Sequence, residues 1–381
     1  MTYPDNSHKW IAAAAGLLTV FGTTPAQAAL RSTPDVLPSF NGTVHTVAYA
    51  GNRLYVGGDF TAVSANGRIV PRNRLAAIDT RTGALLNWAP AADGRVKALA
   101  VNGSSVYVAG DFSAVGGQRR DSLARIDATT GTVSKTFRHS INGRPYAIAA
   151  GNGKLFLGGA FTSVDGQTRT RLAAFNLTSG ALDRAWRPTV DSQVEAITAA
   201  GGRVYLGGRF RKVNSTSGYE RLAAVAPSSG RIVSSFRPRS PVIAYAIAVG
   251  STRVYTANGG QGGTASAYST SGVLKWSTTF DGDARALGVY GGTVYVGGHF
   301  DKVCATARTG TQGGCLDGSR GRVKLAALSA SSGNVQAWTA NGNGIEGVHS
   351  LAVNAGAGAV AAGGSFTTIN GRVVKRLAQF R

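Results

Sequence analysis

His45, Lys97, Tyr146, Glu195, Tyr245, Arg285 and His349 recur at one place in a repeated segment. Each stands two residues before an apolar residue, namely Val47, Leu99, Ile148, Ile197, Ile247, Leu287 and Leu351. A second polar set follows a small-residue pair and comprises Asp59, Asp111, Ala160, Arg209, His299 and Ser365. Proton transfer is the chemistry open to them, because an imidazole titrates near neutrality and Asp59 is placed to orient His45. As an enzyme the chain would use His349, His299 and Arg285. Against this, no serine lies in a nucleophile elbow, and no carboxylate pair has the spacing used in glycoside cleavage. A metal would need a third ligand beside His45 and His349. Binding is therefore favoured over catalysis, and neither a metal nor a cofactor is expected.

The two sets stand fourteen residues apart in five of the segments, the separation expected of partners across a short hairpin. His45 with Asp59, Lys97 with Asp111 and Glu195 with Arg209 read as structural pairs that satisfy their own polarity. Tyr146, Tyr245, Arg285, His299 and His349 have no evident charge partner. These five are the candidate ligand-binding residues.

The elements that must position them come from the repeat itself. Leu54 to Phe60 reads Leu-Tyr-Val-Gly-Gly-Asp-Phe and returns as Val106 to Phe112, Leu155 to Phe161, Val204 to Phe210, Val294 to Phe300 and Val360 to Phe366. Val254 to Asn258 keeps only the Val-Tyr start. A period of this size marks a repeat architecture. Short apolar runs between Gly- and Asn-containing turns make a four-stranded antiparallel meander, and no stretch keeps a helical period. Trp88, Phe137, Trp186, Phe236, Trp276 and Trp338 close the fourth strand, with Phe40 standing for the seventh. The expected fold is all-β, a seven-bladed β-propeller of four-stranded blades over 29–381, closed by an N-terminal strand completing the last blade. The Gly-Gly pair reads as blade-packing geometry; no helix follows it to cradle a phosphate.

Leu75-Ala-Ala-Ile-Asp79 with Thr82-Gly83 and Trp88, and Leu172-Ala-Ala-Phe with Ser179-Gly180 and Trp186, resemble the tryptophan-docking repeat of quinoprotein-type propellers. With Gly-Gly-Asp-Phe added, the unit is more similar to an uncharacterised repeat family of secreted bacterial propellers of the actinomycete type. The resemblance implies the architecture and the docking aromatics. It carries over nothing catalytic, because the quinoprotein calcium ligands and vicinal disulfide have no counterpart.

Residues 1–28 read as a secretory signal, with an apolar run from Trp10 to Gly22 and an Ala26-Gln27-Ala28 cleavage box. The expected location is outside the cell or at its envelope, and the expected state a monomer without a membrane helix. Cys304 and Cys315, in an insertion over 301–322 of the sixth blade, read as a disulfide worth about 3 kcal/mol at most. Forty Lys and Arg against 18 Asp and Glu give a formal charge of +22. Much of it falls on one face, and a basic residue precedes the third strand as Arg74, Arg171, Arg221, Lys324 and Arg376. Two readings stay open: a compositional surplus, or a face that collects an anionic polymer or glycan. A protein partner at the envelope is also open, whereas nucleic acid fits poorly for want of interleaved aromatics.

Overall fold

Each third strand is a run such as Leu-Ala-Ala-Ile, apolar at every position, and Leu75, Ala76, Ala77 and Ile78 are all fully buried. A strand of that kind must be covered on both faces, so its sheet has to be sandwiched between neighbours. The computed structural model describes residues 30–381, and the expected secretory segment lies outside the described residues. Within them all regular structure is β, without a helix.

Antiparallel units follow one another along the chain. The first is built from Val44–Ala50, Arg53–Gly58 and Leu75–Asp79. The pattern repeats through Val348–Asn354, Ala359–Gly364 and Leu377–Phe380. Apolar clusters form between units rather than within them. Tyr55, Leu75, Ala77 and Trp88 of the first unit share a cluster with Val96, Val106 and Phe112 of the second. Val44, Val47 and Leu54 of the first unit likewise share one with Ala361 and Leu377 of the last.

The fourth strand is shorter than the sequence leads one to expect. Only the fifth unit has a regular one, Leu274–Thr279. In five other units it contracts to one bridge, such as Ile78 with Leu85 or Phe175 with Leu182. Whether or not that strand is regular, the closing aromatic turns to the next unit. Trp88, Trp186 and Trp276 donate their indole N–H to the carbonyls of Asp127, Ala226 and Ala330, each at the end of the neighbouring third strand.

Phe40 does not occupy the Trp88 position. It pairs with Val63, within a small sheet of Ser39–Phe40, Ala62–Ala65 and Arg68–Pro71. The residues beside Leu377–Phe380 come earlier: Arg31 N–H donates to the Arg381 carbonyl and Asp35 N–H to that of Gln379. The latter bond matches Leu86 N–H to Ala77 in the first unit, which sets Leu37 where Trp88 would be. Register, fixed by hydrogen bonds, overrode the match in residue type.

The two glycines of Gly57-Gly58 have separate duties. A Cβ on Gly57 would fall 2.7 Å from Val96 Cγ1 of the next unit, so this glycine sets how closely units approach. Gly363 stands in the same relation to Val44, at 2.5 Å, between the last unit and the first. A Cβ on Gly58 would fall 2.1 Å from the Thr43 carbonyl oxygen of its own unit, and Gly110, Gly298 and Gly364 repeat that contact. Gly58→Ala is expected to lower stability by about 2 kcal/mol, because backbone rather than a pliable side chain must move. Chemical denaturation measures it, and an unchanged midpoint would contradict the close approach.

Candidate functional site at the mouth

The approach of Gly58 to Thr43 coincides with a β-bulge. The first strand pairs Val44 with Gly58 and then Thr46 with Gly57, leaving His45 as the extra residue. The same shift passes over Lys97, Tyr146, Glu195, Tyr245, Arg285 and His349. A bulge frees one side chain from the alternation of the strand and re-aims it. All seven of these side chains line one cavity of about 540 Å3, together with Thr43, Asp59, Arg95 and Glu346.

The contacts within the ring are dense. His45 Nε2 lies 2.7 Å from Asp59 Oδ2, while Arg95 Nε donates to Asp59 Oδ1 at 2.8 Å. Burial would raise the Asp59 carboxyl, but hydrogen bonds from His45 and Arg95 outweigh it and hold the group below its ordinary value. Lys97 Nζ is 2.8 Å from Asp111 and 4.7 Å from the centre of the Tyr146 ring. Arg209 Nε donates to Glu195 at 3.0 Å. These pairs are not ladder partners: Asp59 N–H bonds Thr43, and His45 reaches the carboxylate only because it is bulged.

Four side chains that the sequence leaves without partners have them. Lys97 covers Tyr146, and Tyr245 receives Arg209 Nη2 at 3.4 Å and lies 5.7 Å from the Arg285 guanidinium. Arg285 reaches Asp283 at 3.3 Å. His349 Nε2 is 3.2 Å from Glu346, outside hydrogen-bonding geometry, and that buried nitrogen has no hydrogen-bond partner. Its ring meets the His45 ring edge to face at 5.2 Å. Desolvation, then the neighbouring His45, lowers its pKa to about 4, so the imidazole is neutral at neutral pH. The partners Arg95, Asp283 and Glu346 lie at or just before first strands, where the repeat gives no periodic cue.

Two predicted residues stand apart from the mouth. His299 is exposed and does not line the cavity, and Ser365 Oγ turns to the Gly347 carbonyl at 3.5 Å. The candidate catalytic set of His349, His299 and Arg285 is therefore not gathered at one place. Cys304 and Cys315 form a disulfide that ties the insertion at Lys302–Cys304.

A family profile described as "Outer membrane protein assembly factor BamB" matches residues 20–224, more than half of the chain. The chain belongs to this family. No curated protein matches. Among solved structures, "Crystal Structure of Mitotic Checkpoint Complex" is similar at a TM-score of 0.63 and 12% identity, covering 100% of this chain and 99% of that one. "Crystal structure of WD40 beta propeller domain of Doa1" is similar at 0.58 and 9%, covering 92% and 96%. At such identities the likeness concerns the fold alone, and the fold is that of a β-propeller.

On this propeller, the basic residues before the third strands are not a row of solvated charges. Arg74, Arg171, Arg221, Lys324 and Arg376 all adopt left-handed backbone, with φ of 64°, 68°, 61°, 66° and 73°. That conformation is uncommon outside glycine and asparagine. Here Arg74 Nη1 donates to the Ala92 carbonyl at 3.1 Å, Arg171 to Val190 at 2.9 Å, and Arg221 to Pro241. Lys324, 5% exposed, bonds Asp301 instead. Two residues upstream in four units, Arg72, Arg120, Arg169 and Arg322 donate to carbonyls of their own fourth segment. Much of the arginine content thus ties connections together.

A further clasp has no counterpart among the sequence expectations. Asn41, Asp93, Asp191, Asp281 and Asn343 each accept two backbone N–H bonds from residues just beyond the second strand. An Asn or Asp two to five residues before the first strand in these five units was the available signal.

Proposed function

We propose that the protein is a secreted, closed seven-bladed propeller that acts as a binding and scaffold module, with the mouth ring as its seat. The partner is an anionic polymer or glycan of the envelope or extracellular space. Closure is supported by one bond occurring twice. Leu99 N–H donates to Thr46 Oγ1 between the first and second units, and Val47 N–H donates to Ser350 Oγ between the first and last. Envelope placement is supported by the family description.

The observation that carries the reading is the convergence of one bulged residue from every unit on a single cavity. Its cations are matched by carboxylates, so it is stiff before any ligand arrives and offers donors and acceptors in fixed places. Tyr146 and Tyr245 add apolar faces beside polar tips. Such a surface suits a hydroxyl-rich group. The surplus positive charge outside, undiminished by hydrogen bonds to carbonyls, supplies attraction for acidic groups on the same polymer. Proton-transfer chemistry is less well served, since His349 is neutral and buried and His45 is held by Asp59.

The mature protein is expected to bind an acidic polysaccharide about tenfold more weakly when salt rises from roughly 0.05 to 0.3 M, as screening shortens the reach of the field. Tyr245→Ala should weaken it by a similar factor at either salt, without lowering thermal stability much. Titration calorimetry reads both. Salt-independent affinity together with an unaffected Tyr245→Ala would refute the reading.

A further inference from the structure

Three of the positions at which the fourth unit departs from the repeat carry cations. Where four other units carry Thr61-Ala62, Ser113-Ala114, Thr162-Ser163 and Thr367-Thr368 after the second strand, and the sixth has Asp301-Lys302, this one has Arg211-Lys212, the one such pair with two cations. Where the next connection has Ala91 or Thr189 after its proline, Pro90 or Pro188, this one has Arg239 after Pro238. Independent drift would scatter such changes. Instead Arg211, Lys212 and Arg239 line one cleft of about 530 Å3, with Arg221, Ser217 and Glu220.

The cations of this cleft are free of carboxylate partners. Among the described residues, Arg211, Lys212, Arg221 and Arg239 take part in no ion pair, in contrast to the matched charges of the mouth. Glu220 is the acid that faces them. Backbone N–H groups of its own residue and Gly218 come first in holding its carboxyl below the ordinary range, followed by Arg239 and Arg237. Asp191 lies behind the rim, accepting the backbone N–H groups of Arg211 and Lys212. The floor is fixed. Tyr219 replaces the buried arginine of other units and is itself buried, with the Arg237 guanidinium 5.3 Å above its ring.

We propose that this cleft is a second binding site, specific for the phosphoryl groups of an anionic polymer. Three guanidinium forks, an ammonium and the Ser217 hydroxyl present more donors than a carboxylate has oxygens to receive. A tetrahedral phosphoryl group matches that number, and guanidinium forks engage it two bonds at a time. The cleft offers no exposed aromatic for base stacking, because Tyr219 lies under Arg237, which disfavours single-stranded nucleic acid. The site deepens the reading of an anionic partner but does not depend on the mouth.

Two triple variants test it on the full mature chain. One is Arg211→Ala, Lys212→Ala and Arg239→Ala; the other is Arg68→Ala, Arg119→Ala and Arg372→Ala, which removes the same charge from exposed positions elsewhere. The probes are inorganic pyrophosphate, poly(glycerol phosphate) and a thymidine oligonucleotide, titrated at one fixed salt. We expect pyrophosphate to bind at one site and poly(glycerol phosphate) more tightly, each at least tenfold weaker in the cleft variant and within twofold of normal in the control. Equal losses in the two variants would reduce the site to general charge and overturn it. Pyrophosphate binding without polymer binding would overturn the polymer assignment, and tighter binding of the oligonucleotide would overturn the ligand class. Tyr245→Ala serves as the separating arm: it should leave pyrophosphate untouched, so failure at the cleft and failure at the mouth are distinguishable. Melting curves of each variant confirm that these exposed substitutions leave the fold intact.

Discussion

Trp186→Ala is expected to cost about 4 kcal/mol of stability, the range for emptying a buried tryptophan site. The side chain is fully buried, in one cluster with Phe156 and Ala174 of its own unit and Val204 and Phe210 of the next. Its ring centre lies 5.1 Å from that of Phe156, and its indole N–H donates to Ala226 at 3.0 Å. Truncation therefore removes apolar area from both sides of one interface and orphans a carbonyl. Trp186→Phe separates the two effects: it keeps most of the area and loses only the hydrogen bond, for about 1 kcal/mol. Phe137 and Phe236 show that an aromatic without an N–H can stand at this position. Urea unfolding followed by intrinsic fluorescence measures both variants. A Trp186→Ala protein within 1 kcal/mol of the parent would mean that the indole does not hold the two units together.

The contrast between what could and could not be read from the sequence has a physical cause. The seven mouth residues were legible because a repeat places equivalent residues at equivalent counts, whatever bends the strand between them. Which residue is bulged was not legible, since a bulge leaves no mark in the apolar pattern beyond the glycines opposite it. Gly58 was read as a spacer between neighbours, yet its close contact is with Thr43 inside its own unit, and Gly57 meets the neighbour. Partnership was misjudged for a related reason. A count along the hairpin finds partners within one unit, but Arg95 reaches Asp59 from the next unit, and Lys97 covers Tyr146 across the same kind of boundary. In a propeller, charge is satisfied around the ring as well as along the strand. The basic residues before the third strands mislead in the same way. Arginine in sequence suggests solvent, whereas a left-handed backbone at Arg74 carries its guanidinium to the next connection.

Removing residues 30–37 is expected to lower stability by roughly 5 kcal/mol, the sum of about 2 for Leu30 and about 3 for polar groups left buried without partners. Leu30 is 5% exposed and packs with Phe380 and Trp338. Trp338 donates its indole N–H to the Arg31 carbonyl at 3.3 Å, docking on the N-terminal segment where the other tryptophans dock at the end of a third strand. Gln379 is fully buried, with its amide N–H donating to Asp35 at 2.7 Å and its oxygen accepting from Tyr49 of the first unit, also at 2.7 Å. The Asp35 carboxylate also forms an ion pair with Arg381, 3.0 Å from its Nε. One short segment thus serves the sixth unit, the last and, through Gln379, the first. If the ring is closed there, its loss should loosen both flanking interfaces together, and unfolding should broaden into two steps as edge units fray ahead of the rest. A synthetic peptide of residues 30–37, added in excess, should restore part of the lost stability by mass action. Asp35→Ala in the intact chain removes only the carboxylate and should cost about 2 kcal/mol. A truncated protein that melts like the parent in a single step, and does not respond to the peptide, would place the join elsewhere and end the case for closure.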